Sequence, residues 1–420
     1  MLERRQLALV SGGLLASPAL AQEAERREDL VQGFSRARLE RFTPTMAREV
    51  ERGSFNGAVA LIARNGQIIH HEAYGHQDNA RRVPMTRENI FLLASMTKPL
   101  TSVVTMMLVE DGRMKIGDPI TQWLPELRDL KVATPQGDVA LTRPITVQDL
   151  LRHSSGFVYA ATAIPRIREM YESTDVEARQ GPISADEMLR RLGTIPLAFQ
   201  PGERFFYSIS TDVLGLLLQR VSGQRLDRLI AERLTGPLGM ADTVWWVDPQ
   251  RRPRVAESIA SDPLSASMWR SYRIEQDPGD TSYLKGGAGL VGTSSDYFRF
   301  AQMVANGGSF EGRRYLSTPM VNYMLSDHMG SMGGTPAAST GPGYGFGLGF
   351  AIRREQGIAV APGSPGDAMW AGAWGTSFTI DRAERLVGVF MAQGPSSRTH
   401  TRMVFKNLVY GAMVESARNG

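Results

Sequence analysis

Strand-forming patterns at both ends of this chain, with helical patterns between them, constrain its fold more than any other feature. Gly57 to Ala63 and Gln67 to Tyr74 are two strand-like runs joined at Asn65-Gly66, a dipeptide suited to a tight hairpin because both residues tolerate positive φ. Near the other end, Thr376 to Ile380 and Leu386 to Met391 alternate around a turn at Asp381 to Arg385. Strands at the two ends must complete one sheet, so the pattern predicts a discontinuous α/β domain (an α+β sandwich), an antiparallel sheet flanked by helices.

The boundaries follow from the same patterning. Residues 28–111 and 285–415 are expected to form the α/β domain, and 112–284 a mostly helical insertion domain. Glu28 to Glu51 has the apolar spacing of a helix through Leu30, Phe34, Leu39, Phe42 and Met46. Ser95 to Glu110 reads as a long apolar helix, with Pro99 in its first turn, where a missing N–H costs little. The insertion contains short helical stretches such as Val147 to His153, Ser184 to Leu192, Thr211 to Val221 and Arg225 to Leu234, each ended by a plausible stop signal. Ser294 to Asn306 reads as a further helix. The glycine-spaced run Gly343 to Phe350 has no following P-loop lysine and fits sheet packing, and Thr335 to Gly343 is the expected mobile loop.

Residues 1–21 read as a signal peptide: Arg4 and Arg5 precede an apolar run from Leu7 to Leu20, and Ala19-Leu20-Ala21 offers a small-x-small cleavage site before Gln22. This predicts an exported protein, periplasmic or secreted, with no stable membrane insertion after cleavage. The chain of 420 residues contains no cysteine, which excludes disulfides, thiol nucleophiles and thiolate metal sites. Its net charge of +4 comes from scattered arginines, not from a basic stripe interleaved with aromatics, so nucleic acid is not an expected partner.

Three motifs carry chemistry. In Ser95-Met96-Thr97-Lys98, residues three apart share a helix face, so the lysine amine can reach the serine hydroxyl, and burial in an apolar helix favours the uncharged amine as base. A second S-x-x-K, Ser282 to Lys285, lies between Pro278-Gly279-Asp280 and Gly286-Gly287, where no helix is expected. Tyr207 follows the Pro201-Gly202 turn and precedes a helix, a junction from which a hydroxyl can relay a proton, although a tyrosine there also suits the core. Trp370-Ala371-Gly372 precedes a strand; a small residue at Gly372 would admit substrate close to the strand edge, where backbone N–H groups can hold an oxyanion.

Other constellations fit structural roles better. Neighbouring residues in a strand face opposite ways, so His70 and His71 would not converge on a metal with His76 and Glu72, and no metal or cofactor is expected. His153 at a helix end suits a structural role, and the absence of a G-x-S-x-G elbow argues against an α/β-hydrolase.

Taken together and in this order, the three motifs resemble the serine β-lactamase-like superfamily, which includes class C β-lactamases, D,D-peptidases and family VIII carboxylesterases. The resemblance runs from about Glu28 to the C-terminus and extends to Asp118-Pro119, Leu150 to Gly156, Gly286 to Asp296 and Phe378 to Asp381. β-Lactamases and peptidases of the superfamily usually carry Tyr-x-Asn, and Lys-Thr-Gly or His-x-Gly on the edge strand. Here Ile209 replaces the asparagine and Trp370 the lysine, which makes the chain most similar to family VIII esterases, with Ala371 departing from their usual glycine.

The resemblance implies a serine carboxylesterase that uses no cofactor and takes a small-molecule ester. It implies Ser95 as nucleophile, Lys98 and Tyr207 as its activating pair, and the N–H groups of Ser95 and Ala373 as the oxyanion donors, with Trp370, Gly372 and Ile209 shaping the substrate side. It leaves open a β-lactamase or D,D-peptidase, an acyltransferase, and a non-catalytic cell-wall binding module.

Overall fold

The computed structural model describes residues 29–269, 274 and 277–419; the expected signal segment lies outside them. Helix α1 (Phe42–Glu51) precedes the hairpin of β1 (Gly57–Arg64) and β2 (Gln67–Gly75). Asn65 and Gly66 turn it with φ of 52° and 77°, the left-handed pair that a two-residue turn between twisted strands requires. Then come α2 (Thr97–Glu110), α3 (Ser210–Ser222) and α4 (Ser294–Ala305). Strands β3 (Tyr344–Phe346), β4 (Ala351–Arg353), β5 (Ala368–Ala371), β6 (Ser377–Asp381) and β7 (Leu386–Ala392) follow, and α5 (Arg398–Ala412) closes the fold.

The sheet has seven strands in the order β3-β4-β5-β6-β7-β1-β2, every pair antiparallel. Strand β7 pairs with β1 from Leu386↔Arg64 to Ala392↔Ala58, so segments from the two ends of the chain meet within one sheet, as the expected discontinuous α/β class requires. Because side chains alternate along a strand, β1 feeds two cores. Ala58, Ala60 and Ile62 pack with Phe42, Phe390 and Phe405 beneath α1 and α5. Val59, Leu61 and Ala63 belong to a larger cluster with α2, α4 and the inserted helices.

Helix α2 is buried from Thr97 to Leu108, which is why its apolar residues are not confined to one stripe. Burial of Leu100, Val103, Val104 and Leu108 contributes about 1.5–3 kcal/mol each. Among the described residues, no helix is long and apolar enough to cross a membrane.

Two segments differ from the sequence reading. The stretch up to Glu51 is not one helix: Leu30–Val31 pairs with Phe34–Ser35 in a small hairpin, turned by Gln32 and Gly33 at positive φ. Ser35 then caps the one-turn helix Arg36–Leu39 by accepting from the Arg38 N–H. Phe34, Phe42 and Met46 still reach one core, so a helical spacing of apolar residues was satisfied by a hairpin and a shorter helix. The inserted region also holds a hairpin, Lys131–Thr134 with Gly137–Ala140, besides its helices. Within 335–343, the segment expected as a mobile loop, Ala337–Thr340 forms a helical turn.

Candidate active site

The chain enters α2 through a tight corner. Strand residues Phe91–Leu92 give way to a 3₁₀ turn at Ala94–Met96, and Ala94 takes φ of 46°, a left-handed value costly for a residue with a Cβ and found where surrounding packing fixes the backbone. Ser95 therefore projects from the mouth of a buried helix. Lys98, one turn on, is 1% exposed. Its Nζ lies 2.7 Å from the Gly287 carbonyl oxygen, 3.1 Å from the Tyr159 hydroxyl and 3.4 Å from Ser95 Oγ.

Gly287 is needed for this approach. A Cβ there would sit 2.9 Å from Asp212 Oδ2 and 3.1 Å from Lys98 Nζ. Its N–H donates to Asp212 Oδ1 at 3.1 Å, so a buried carboxylate on α3 holds the residue whose carbonyl holds the lysine. The second S-x-x-K motif thus serves the first: Ser282 Oγ donates to the Pro278 carbonyl, and the segment following it wraps Lys98.

Tyr207 enters from the loop before α3. Its ring lies 4.7 Å from Lys98 Nζ, measured to the centroid, and 5.3 Å from the Trp370 ring. Its hydroxyl is buried with no hydrogen-bond partner among the described residues. The expected activating pair therefore meets ring to amine, and the hydroxyl bonded to Lys98 is that of Tyr159. Sequence reasoning missed Tyr159; it directly follows the Leu150 to Gly156 signature, but no spacing rule connects it to Lys98. Burial, helped by Tyr207 and Asp212, raises the Tyr159 hydroxyl well above the ordinary phenol range, so it stays protonated.

His153 supports the tyrosine and does no proton transfer to Ser95. It is buried, its ring lies 4.7 Å from that of Tyr207, and its Nδ1 accepts the Ser208 N–H at 3.3 Å. Burial, and then the nearby Lys98, push its pKa well below the usual imidazole value, which keeps the ring neutral. His70 and His71 diverge as expected, His70 bonding Tyr74 and His71 bonding Ser294.

Ser95, Tyr207, Trp370, Gly372, Ala373 and Arg402 line one cavity of about 240 Å³. Packing gives Gly372 a reason of its own for being glycine: a Cβ there would collide with the Leu93 carbonyl and Thr376 Oγ1. It clamps the end of β5 onto the corner that carries Ser95. The Gly372 N–H is spent on Thr376 O, and Ser95 and Ala373, the expected oxyanion donors, both line the cavity. Ile209 does not line the cavity; it is buried in the main core at the start of α3, where an apolar side chain packs. Arg402, from α5, was also missed by the sequence reading, because nothing local marks one arginine among many.

The family model described as Beta-lactamase matches residues 7–408. Esterase EstB of Burkholderia gladioli is 32% identical over 348 residues, covering 78% of this chain and 83% of that protein. Lovastatin esterase of Penicillium rubens is 27% identical over 379 residues, covering 82% and 90% respectively. Among solved structures, one described as EstCE1, a hydrolase with promiscuous acyltransferase activity, superposes with a TM-score of 0.74 at 24% identity, covering 89% of this chain and 98% of that one. With a family match over nearly its whole length and a relative of this similarity, the chain belongs to the β-lactamase family and is a hydrolase of the β-lactamase fold.

Proposed function

We propose that this chain hydrolyses carboxylic esters through an acyl-enzyme on Ser95. The observation that carries this reading is the set of three partners around Lys98 Nζ, at 2.7, 3.1 and 3.4 Å. An uncharged amine donates two hydrogen bonds, to the Gly287 carbonyl and the Tyr159 oxygen, and turns its lone pair to the Ser95 hydroxyl. It then takes that proton as Ser95 Oγ attacks the ester carbonyl. The Ser95 and Ala373 N–H groups receive the developing oxyanion.

As the tetrahedral intermediate collapses, the carbon–oxygen bond to the alcohol breaks and the unpaired Tyr207 hydroxyl gives its proton to the departing oxygen. The ring of the resulting phenolate lies 4.7 Å from Lys98 Nζ, measured to the centroid. Tyr207 then takes a proton from water, the hydroxide attacks the acyl carbon, and Lys98 returns its proton to Ser95 as the acid leaves. Ester plus water gives acid plus alcohol, and both groups are restored.

The relatives named as esterases support an ester substrate, and so do Ile209 and Trp370, which supply no amide and no ammonium for a β-lactam. Acyl transfer to an acceptor alcohol is a second reading, favoured by the activity named for EstCE1. We propose also that the chain is exported, on the strength of the Arg4-Arg5 and Leu7 to Ala21 pattern. The test is hydrolysis of p-nitrophenyl acetate and butyrate beside nitrocefin, by the purified protein and its Ser95→Ala variant. Ester turnover lost in the variant, with little nitrocefin cleavage, is expected. Dominant nitrocefin cleavage would move the chain to the β-lactamases, equal ester rates in both proteins would discard Ser95, and ester products appearing with an added alcohol would favour transfer.

A further inference from the structure

Among the described residues, three arginines are buried to 5% exposure or less: Arg64, Arg353 and Arg402. Two have carboxylate partners. Arg64 pairs with Glu384 at 3.3 Å and Arg353 with Asp367 at 2.8 Å, as the cost of removing a charge from water demands. Arg402 has none. One of its terminal nitrogens donates to the Ser339 carbonyl at 2.7 Å, and its Nε is buried without a partner among the described residues.

Arg402 faces the Ser95 cavity, and its surroundings sharpen the point. Arg398, one turn earlier on α5 and exposed, lines the same cavity together with Thr399, while no aspartate or glutamate does. The two arginines are four residues apart and so share a helix face. They stand at the N-terminal end of a helix of 15 residues, where the aligned peptide dipoles also favour negative charge. An unneutralised buried guanidinium, a second cation and a helix N-terminus therefore converge on a cavity that also contains the nucleophile.

From this arrangement we infer that Arg402, assisted by Arg398, is a specificity residue that binds a carboxylate of the substrate. This rests on the esterase reading and narrows it: the ester carries a second, ionised carboxyl group, as in a half-ester of a dicarboxylic acid or an acylated hydroxy acid. A guanidinium suits this role because its planar array of donors matches a carboxylate. One terminal nitrogen is held by the carbonyl of Ser339, a residue that itself lines the cavity.

The test compares kcat/KM for two charged esters, each with a neutral counterpart. p-Nitrophenyl hydrogen glutarate is set against p-nitrophenyl valerate, which puts the carboxylate on the acyl side. 4-Acetoxybenzoate is set against phenyl acetate, which puts it on the alcohol side. The full chain should prefer the charged member of at least one pair by about tenfold or more, the scale of a charge-assisted hydrogen bond in a partly dry site. Arg402→Gln should bring that ratio near one, Arg402→Lys should keep part of it, and Arg398→Gln should lower it less. Ratios near one for both pairs in the unmodified chain would overturn the inference while leaving Ser95-dependent ester hydrolysis intact. A preference that survives Arg402→Gln would overturn it as well. Should that variant not fold, inhibition of valerate turnover by benzoate and glutarate decides: competitive inhibition weakened in Arg398→Gln supports the subsite, and none refutes it. Absence of any Ser95-dependent ester turnover would instead remove the esterase reading, and this inference with it.

Discussion

Gly287→Ala tests whether Lys98 is held as a base by geometry alone. An alanine Cβ at this position would stand 2.9 Å from Asp212 Oδ2 and 3.1 Å from Lys98 Nζ, whereas ordinary contact begins near 3.4 Å. The peptide must therefore retreat by about 0.5 Å from the carboxylate and the amine by about 0.3 Å, the differences between these distances. Neither has room. The Gly287 N–H is already 3.1 Å from Asp212 Oδ1, and Lys98 Nζ is already 3.4 Å from Ser95 Oγ, so a shift of this size breaks at least one of the three contacts around the amine. A displaced general base costs between about tenfold and a hundredfold in rate, which is about 1.4–2.7 kcal/mol in the barrier. Stopped assays on p-nitrophenyl butyrate should show kcat falling by that factor with KM little changed, while thermal unfolding shows a stable protein. An alanine variant with the original kcat, or one whose loss is accounted for by its unfolded fraction, would refute the reasoning.

The two tyrosines should separate by leaving group. Tyr207→Phe removes the proton donor and should slow acylation by alkyl esters by about a hundredfold or more, but the pre-steady-state release of nitrophenolate from p-nitrophenyl esters much less, because nitrophenolate departs without protonation; equal losses in the two acylation steps would refute the assignment. Tyr159→Phe removes one partner of Lys98 and should lower both by a similar, smaller factor, of about tenfold. Asp296 predicts a pH effect on stability. It is buried on α4, accepting from Thr243 Oγ1 and the Asp242 N–H, and burial raises its carboxyl from the ordinary 3.8 to about 6. A folded-state value above the unfolded one means that its contribution is full below about 3.8 and is lost as pH rises through about 6, a change of about 3 kcal/mol. Asp296→Asn should therefore gain stability relative to the parent between pH 4 and neutrality; parallel urea-melt pH profiles for the two proteins would rule this out.

What the sequence made legible was local. Asn65-Gly66 announces its hairpin because both residues occupy left-handed φ, and Ser95 with Lys98 follows from the helical repeat. Strand alternation identified β6 and β7, whose faces enter two different cores. The unseen parts are those in which the decisive partner is far away in the chain. Gly372 was read as a gap for substrate, yet the atoms that exclude a Cβ there belong to Leu93 and Thr376. Tyr159 gains meaning only by reaching Lys98, 61 residues away. Ile209 stands next but one to Tyr207, but the turn into α3 directs it into the core and away from the cavity. The hairpin before α1 escaped notice because its apolar residues meet the same core that a helix would have offered them.

These contacts divide the site into two parts with different tolerance for change. The corner bearing Ser95 and the first turns of α2 are fixed by backbone at close range: Gly287 against Lys98, Gly372 against the Leu93 carbonyl, and Gly349 against Ser102. Any side chain at these three places would move the nucleophile or its base, so the reacting geometry is set by where the backbone of distant segments runs. The opposite wall is made of side chains, Trp370 from β5 and Arg398 and Arg402 from α5, whose replacement leaves those backbone contacts untouched. Substrate choice can therefore change on that wall without disturbing the serine and lysine, and the motif that identifies the family carries no information about which ester is taken. That information lies with the guanidinium of Arg402, which lines the same cavity as Ser95.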